Sequence, residues 1–275
     1  MTILLAAEAV EKRYGGQGVF ATGASKTVLR GVSLSVREGE SVALLGTSGS
    51  GKSTLARLML GLERPDGGTV RCLGRPIEAL DTSGRRTFRR TVQAVFQDPL
   101  GAVNPRHRIG RIIAEPLRHL TGLDARERAA RVAELLRLVG LAPEDADRLP
   151  GSMSGGQVQR VCIARALAPE PRLILLDEAV SNLDLVLQLQ ILDLLAELRE
   201  RLGTAFLFIT HDVRLVRRFC HRVAVLHDGG LVEDRPVGPS IAFDHPAARA
   251  LLDAMLPAAP SPALRNRSAE SRTAP

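Results

Sequence analysis

The stretch Gly46-Thr47-Ser48-Gly49-Ser50-Gly51-Lys52-Ser53 satisfies the pattern G-x-x-x-x-G-K-[ST], and the chemistry that pattern serves is capture of a polyphosphate. Its glycines let backbone N–H groups turn inward around phosphate oxygens, and the positive end of a following helix adds a favourable field. Lys52 brings a point charge to the β and γ phosphates, and the Ser53 hydroxyl is an oxygen ligand for Mg2+. Lysine is scarce here: Lys12, Lys26 and Lys52 are the only three in a chain whose lysines and arginines total 37.

A second chemical segment is Leu173-Ile174-Leu175-Leu176-Asp177-Glu178, an apolar run that ends in two carboxylates. Neighbouring strand positions point to opposite sides, so the two acids should do different jobs. Asp177 suits the Mg2+ shell, and Glu178 suits polarisation of an attacking water as general base; a merely solvated acid pair is the bland alternative. Phe208-Ile209-Thr210-His211-Asp212 ends another apolar run with a histidine. Neutral or cationic near pH 7, His211 can hydrogen-bond a γ-phosphate and the water beside it, or else serve structure alone. Tyr14 is the single tyrosine; its ring could stack on adenine for ~1–3 kcal/mol, by analogy with base stacking elsewhere, or lie on the surface without a role.

These residues need rigid elements to hold them. Short β-branched runs alternate with helical segments, the pattern of an α/β fold with a mostly parallel sheet. Ser41–Leu45 reads as a buried strand entering the glycine loop and Ser53–Leu62 as the helix leaving it. Leu173–Leu176 and Ala205–Thr210 read as two more buried strands. Leu123–Val139 has helical apolar spacing, opened by Asp124 with Glu127 three residues on and closed by Gly140, so it is expected as a capped helix in a helical lobe. That lobe is expected from about Pro99 to Arg165, and another apolar-rich helix from Val186 to Leu202. From Pro257 onward Pro, Ala, Ser, Arg and Glu dominate, the composition of a disordered tail. No internal repeat is present, which argues for one cassette and against a fused pair.

Composition limits the options further. A length of 275 residues suits one large domain, or a core with an inserted lobe. No apolar run approaches the roughly 20 residues of a membrane-spanning helix, and Met1–Val10 lacks secretory features, so the cytosolic side is expected. Cys72, Cys162 and Cys220 are scattered, against a zinc site or a disulfide framework and in favour of reduced packing residues. The net charge of +7 raises the question of nucleic acid, but the arginines are dispersed and aromatic residues make up only 3%, leaving few stacking platforms.

The residues so far define a P-loop ATPase of unspecified class. Met153-Ser154-Gly155-Gly156-Gln157 resembles the LSGGQ signature of ABC ATPases, with Met in place of Leu. The resemblance implies an α/β P-loop core with a mostly parallel sheet, an antiparallel β subdomain and an inserted helical subdomain at about 99–165. It places one nucleotide-binding domain at 1–256 and a tail at 257–275. It implies ATP and Mg2+ as cofactors, with Thr54 joining the loop residues at the nucleotide and Ser53, Gln97 and Asp177 at the metal. Tyr14 matches the adenine-stacking aromatic, Gln97 in Val95-Phe96-Gln97-Asp98-Pro99 the glutamine that joins Mg2+ and water to the lobe, Asp184 the D-loop acid, and His211 the switch histidine. Lys52, Gln97, Glu178 and His211 are the catalytic set on this reading. Ser154, Gly155, Gly156 and Gln157 would face the γ-phosphate held by a neighbouring subunit, so each site needs two chains.

Gln97-Asp98-Pro99 with Ala102-Val103-Asn104-Pro105 is similar to the oligopeptide, dipeptide and nickel importer branch. Asp177-Glu178-Ala179-Val180-Ser181-Asn182-Leu183-Asp184 resembles the second ATPase subunit of nickel importers, where peptide importers usually carry Pro-Thr and Ala-Leu-Asp. Phe219-Cys220-His221-Arg222-Val223 and Leu256-Pro257 resemble it too. The resemblance implies a peripheral subunit on the cytoplasmic face of the inner membrane. Its partners would be a second ATPase subunit, identical or not, two transmembrane permeases and an extracytoplasmic substrate-binding protein, with no nucleic acid. A dipeptide or oligopeptide importer ATPase is the alternative, and a non-transport ABC ATPase a further one, although Gln97 to Ser154 holds no heptad run. A regulatory subunit with a degenerate site is disfavoured by the presence of Lys52, Asp177, Glu178 and His211.

Overall fold

The computed structural model describes residues 2–15, 25–181, 183–238 and 241–253. Two long strands come first, β1 (Ile3–Tyr14) and β2 (Lys26–Arg37), paired antiparallel with Ala6 opposite Ser35 and Val10 opposite Val32. Strand β3 (Ser41–Leu45) is buried along its whole length and feeds the glycine loop and α1 (Lys52–Met59). Strands β4 (Gly67–Cys72) and β5 (Arg75–Pro76) extend the first sheet, and α2 (Thr82–Thr91) leads to β6 (Val92–Val95). Three helices follow, α3 (Ile109–Leu120), α4 (Ala125–Leu138) and α5 (Gly155–Leu167), packed against one another. The remainder is β7 (Leu173–Asp177), α6 (Leu185–Leu202), β8 (Ala205–Ile209), α7 (Val213–Phe219), β9 (Arg222–His227), β10 (Gly230–Pro236) and α8 (Pro246–Asp253).

Two sheets result. One is antiparallel, in the order β2-β1-β4-β5; the other runs β10-β9-β3-β8-β7-β6 and is parallel except for the edge strand β10. A parallel sheet needs cover on both faces, and the sequence supplies it by period two. Ala43, Leu45, Ile174, Leu176, Phe206 and Phe208 point into a core shared with α3 to α7. Val42, Leu44, Leu173, Leu175, Leu207 and Ile209 point into a second core shared with α1 and the antiparallel sheet. Helix α1 thus lies between the two sheets, which fixes the loop at its N-terminus.

Register aligns the strand ends that matter. Ile209 of β8 sits opposite Leu44 of β3 on one side and Asp177 of β7 on the other. The glycine loop, the acid pair and His211 therefore all emerge at the carboxyl edge of the parallel sheet, where open α/β sheets bind ligands.

Local signals explain most element ends. Helix α4 carries a reciprocal capping box: Asp124 accepts from the Glu127 N–H at 2.9 Å, and the Glu127 carboxylate accepts from the Asp124 N–H at 2.7 Å. Helix α1 is shorter than the expected Ser53–Leu62. Its apolar pattern continues to Leu62, but Gly61 takes φ 65°, and the N–H groups of Gly61 and Leu62 bond back to Leu58 and Arg57 at 2.9 Å each. That is a Schellman ending, and it turns the chain away after Met59. The Pro257 tail lies outside the described residues, as does Asn182.

Cys72, Cys162 and Cys220 are unpaired and buried, and burial pushes the Cys72 and Cys162 thiols up to about 11 and raises Cys220 as well. Phe219 closes α7 onto β8, with ring centroids 5.2 Å from Phe206 and 5.8 Å from Phe208 in edge-to-face geometry. Phe219→Ala is expected to cost about 3–5 kcal/mol, read as a lower urea midpoint at unchanged slope.

Candidate functional site

The loop after β3 closes tightly because two of its glycines have no room for a side chain. A Cβ on Gly46 would lie 2.4 Å from the Leu226 carbonyl oxygen, and Gly51 adopts φ 109° with the Leu29 side chain 2.8 Å from where its Cβ would be. Both constraints hold the loop close against the strand ends, a close approach that only glycine permits. Lys52 follows directly and is only 6% exposed. Its ammonium donates to the carbonyls of Gly46 at 2.8 Å and Thr47 at 2.9 Å. Burial lowers its pKa, opposed by the fields of Glu178 and Asp177.

Asp177 and Glu178 diverge for a reason the strand pleat does not supply. Asp177 is the last residue of β7, but Glu178 has left the strand with φ 47°, a left-handed conformation that costs a non-glycine residue roughly 1–2 kcal/mol. The Glu178 N–H is anchored to the Ile209 carbonyl at 3.0 Å. This kink sends the two carboxylates to separate places. Glu178 reaches the glycine-loop cleft, and its carboxylate lies 3.7 Å from His211 Nδ1. Asp177 stays low, and its Oδ1 is buried without a hydrogen-bond partner. Burial raises the Asp177 pKa and the Glu178 charge raises it further, with Arg57 and Lys52 opposing.

The cleft has a volume of about 310 Å3 and brings together Ser48, Gly49, Gly51, Lys52, Ser53, Thr54 and Glu178. Gln97, at the end of β6, approaches from the side: its amide nitrogen is 3.5 Å from the Ser181 hydroxyl, which in turn donates to the Glu178 carbonyl at 2.8 Å. Tyr14 stands at the end of β1, 38% exposed, with its hydroxyl donating to Glu63 at 2.5 Å. Its pKa is raised, first by burial and then by Glu63, while a hydrogen bond with Thr54 lowers it. The tyrosine therefore borders the first turn of α1.

Other expected site residues sit apart from this cleft. Ser154 caps α5 through a box with Gln157, whose N–H donates to the Ser154 hydroxyl at 3.3 Å while its side-chain oxygen accepts from the Ser154 N–H at 3.0 Å. Ser154 and Gly155 are exposed, and Gly156 is backed by Leu187 of α6. Asp184 caps α6, accepting from the Leu187 N–H at 2.9 Å. None of these lines the Lys52 cleft, so within one chain the helix end at Ser154 faces outward, able to receive an anion from elsewhere.

Sequence reasoning passed over Lys26 and Val28, which wall the cleft from β2, and Arg57, whose field reaches Asp177 from one turn inside α1. No motif marks them; strand pairing and helix phase bring them in. Ser181 was visible only as part of a quoted stretch, although it links Gln97 to the Glu178 backbone.

Comparison with known proteins finds a family model, close sequence relatives and solved structures of similar fold. A family model described as ABC transporter matches residues 29–181. The chain is 61% identical over 263 residues to the nickel import ATP-binding protein NikE of Rhodospirillum rubrum, covering 96% of this chain and 95% of that protein. It is 54% identical over 257 residues to NikE of Brucella suis, covering 94% and 97%. Among solved structures, the dimeric post-hydrolysis state of the ATP-binding cassette MJ0796 bound to ADP and Pi superposes with a TM-score of 0.75 at 30% identity, covering 86% of this chain and 100% of that one. The cbiO1 subunit of the Clostridium perfringens cbiONQ transporter superposes with a TM-score of 0.74 at 28% identity, covering 86% and 89%.

Asp177 provides a pH test. Its folded pKa is raised, so its charged form penalises the nucleotide-free fold at neutral pH, and the penalty fades as pH falls through the raised pKa toward the ordinary carboxylate range. Asp177→Asn, which removes the buried charge, is expected to stabilise the nucleotide-free protein at pH 7, read as a higher urea midpoint. In paired urea titrations that advantage should shrink on acidification.

Proposed function

The chain belongs to the ABC transporter family as an ATP-hydrolysing subunit, and we propose that it powers nickel import as one half of a nucleotide-sandwich dimer. The observation that carries the catalytic part is the buried, unpartnered Asp177 oxygen beside Lys52, with Glu178 and His211 close together at the same cleft. The nickel assignment rests on 61% identity to a nickel import ATP-binding protein along nearly the whole chain.

In this mechanism the loop Gly46–Thr54 wraps the phosphates of ATP, and Lys52 exchanges its two carbonyl partners for β- and γ-phosphate oxygens. Tyr14 offers its ring to adenine. The residues present fit Mg2+, because the orphaned Asp177 carboxylate oxygen and the Ser53 hydroxyl are hard oxygen donors of the kind that ion selects. Ser53, Asp177 and Gln97 would hold it, and when bound it neutralises charge on the phosphate oxygens. Glu178 orients the attacking water and accepts its proton. His211 donates a hydrogen bond to the γ-phosphate as charge builds. The Gln97–Ser181–Glu178 chain couples the state of that water to the helical lobe.

Ser154, Gly155, Gly156 and Gln157 of one subunit complete the site of the other, with Asp184 at the same subunit boundary. A second ATPase subunit is thus required. A groove of about 440 Å3 between α1, β6 and α3, lined by Leu60, Leu62, Phe96, Pro116, His119 and Leu120, is the seat for a permease segment. No helix among the described residues is long and apolar enough to cross a membrane. The working assembly then needs two permeases and an extracytoplasmic binding protein, with this subunit peripheral on the cytoplasmic face and no role for nucleic acid.

Glu178→Gln is expected to lower ATP turnover by roughly 10²–10⁴-fold while ATP binding persists and dimers accumulate on size exclusion. A variant that turned over at the parent rate would remove Glu178 as the base. In a strain lacking the gene, radiolabelled nickel uptake should fall and return with the parent chain, not with Glu178→Gln; restored peptide uptake without nickel uptake would overturn the cargo.

A further inference from the structure

Helix α3 has two working faces. Glu115, Pro116, His119 and Leu120 line the groove assigned above to a permease, whereas Arg111, Ala114 and Arg118 line a separate cavity of about 330 Å3 between α3 and α4. This second cavity shares no residue with the nucleotide cleft. Its walls carry Arg108 just ahead of α3, Arg111 and Arg118 on α3, and Arg128 on α4, against the single acid Asp147.

Those positive charges are not neutralised within the chain. The Arg108 and Arg128 guanidinium groups donate to the carbonyls of Asp147 and Leu123, which are uncharged acceptors. The exposed side chains of Arg111 and Arg118 make no hydrogen bond or ion pair among the described residues. The floor between them is apolar and made of small side chains, Ala114, Ala129, Val132 and Ala146. Four cations around a patch of small apolar side chains form a surface that lacks its counterpart.

We propose that this groove docks an acidic segment of a protein partner, with carboxylates on the arginines and aliphatic side chains on the floor. Arg111 and Arg118 are seven residues apart, two helical turns or about 10.5 Å. With Arg128 on the facing wall, the charges are spread along the groove, matching repeated carboxylates on one polypeptide and not a single phosphate. Guanidinium groups also pair with planar carboxylates bidentately, which gives orientation as well as attraction. A bilayer is the poorer fit, because membrane-binding faces present large apolar side chains such as Trp, Phe and Leu, whereas the apolar lining here is alanine and one valine.

The assignment is independent of the ATPase mechanism and tested on the full chain. The probe is a dye-labelled synthetic helical peptide with glutamates seven residues apart and alanine and leucine between them, followed by fluorescence anisotropy. Saturable binding is expected, with none for the same peptide carrying lysine in place of glutamate. Arg111→Glu with Arg118→Glu should weaken binding about tenfold or more. Ala129→Trp, which fills the floor without changing charge, should weaken it too, while ATP binding stays at the parent level in both. If charge reversal disturbs ATP binding, Arg111→Gln with Arg118→Gln is read in its place. Peptide binding unaffected by either change would overturn the proposal. So would the absence of peptide binding, including the case in which phosphatidylserine vesicles or inorganic phosphate bind through the same arginines.

Discussion

Everything at the cleft depends on how few countercharges the folded chain offers a polyphosphate and how firmly it holds them. Lys52 is buried with only neutral carbonyls as hydrogen-bond partners, and Asp177 is buried with an oxygen left over. Both groups carry a desolvation cost that the empty fold does not recover. The parallel sheet and the two cores around it supply the rigidity that keeps these charges in place. Stability is thus held back at the site and returned when a ligand of opposite character arrives, which is the thermodynamic form of a binding-driven machine.

The same constraint explains the layout of elements. Helix α1 is clamped between the two sheets, so the loop before it cannot relax toward solvent. Strand β8 lies between β3 and β7 in register, so the lysine loop and the acid pair face each other across one strand. The two ends of the helical lobe are held together where Arg165 donates to the Ala102 carbonyl at 2.6 Å and Cys162 to the Pro99 carbonyl at 3.7 Å. These tie α5, and with it the helix end at Ser154, to the loop that follows Gln97.

Much of this was legible in the residues. The glycine loop, the apolar strands before Asp177 and His211, and the Asp124–Glu127 cap are local signals, and each appears where the spacing puts it. The antiparallel sheet was expected only from family likeness, because its strands pair residues far apart and periodicity does not choose partners. The end of α1 was misread because the apolar pattern continued past Gly61, and the glycine's backbone preference outweighed it. The divergence of Asp177 and Glu178 was expected from strand alternation; its cause is the left-handed turn at Glu178, which no residue pattern announces for a glutamate. Lys26, Val28 and Arg57 reach the cleft through tertiary placement alone, which is why no motif named them.

Three thiols buried deeply enough to stay protonated have a practical meaning for anyone who wants to watch the lobe move. Maleimide reagents attack thiolates that solvent can reach, and Cys72, Cys162 and Cys220 offer neither condition. A cysteine placed on the outer face of α4 and another on β2 would take up a dye pair against a silent native background. Distances between the lobe and the core could then be followed through the ATP cycle without first stripping the chain of its own sulfur.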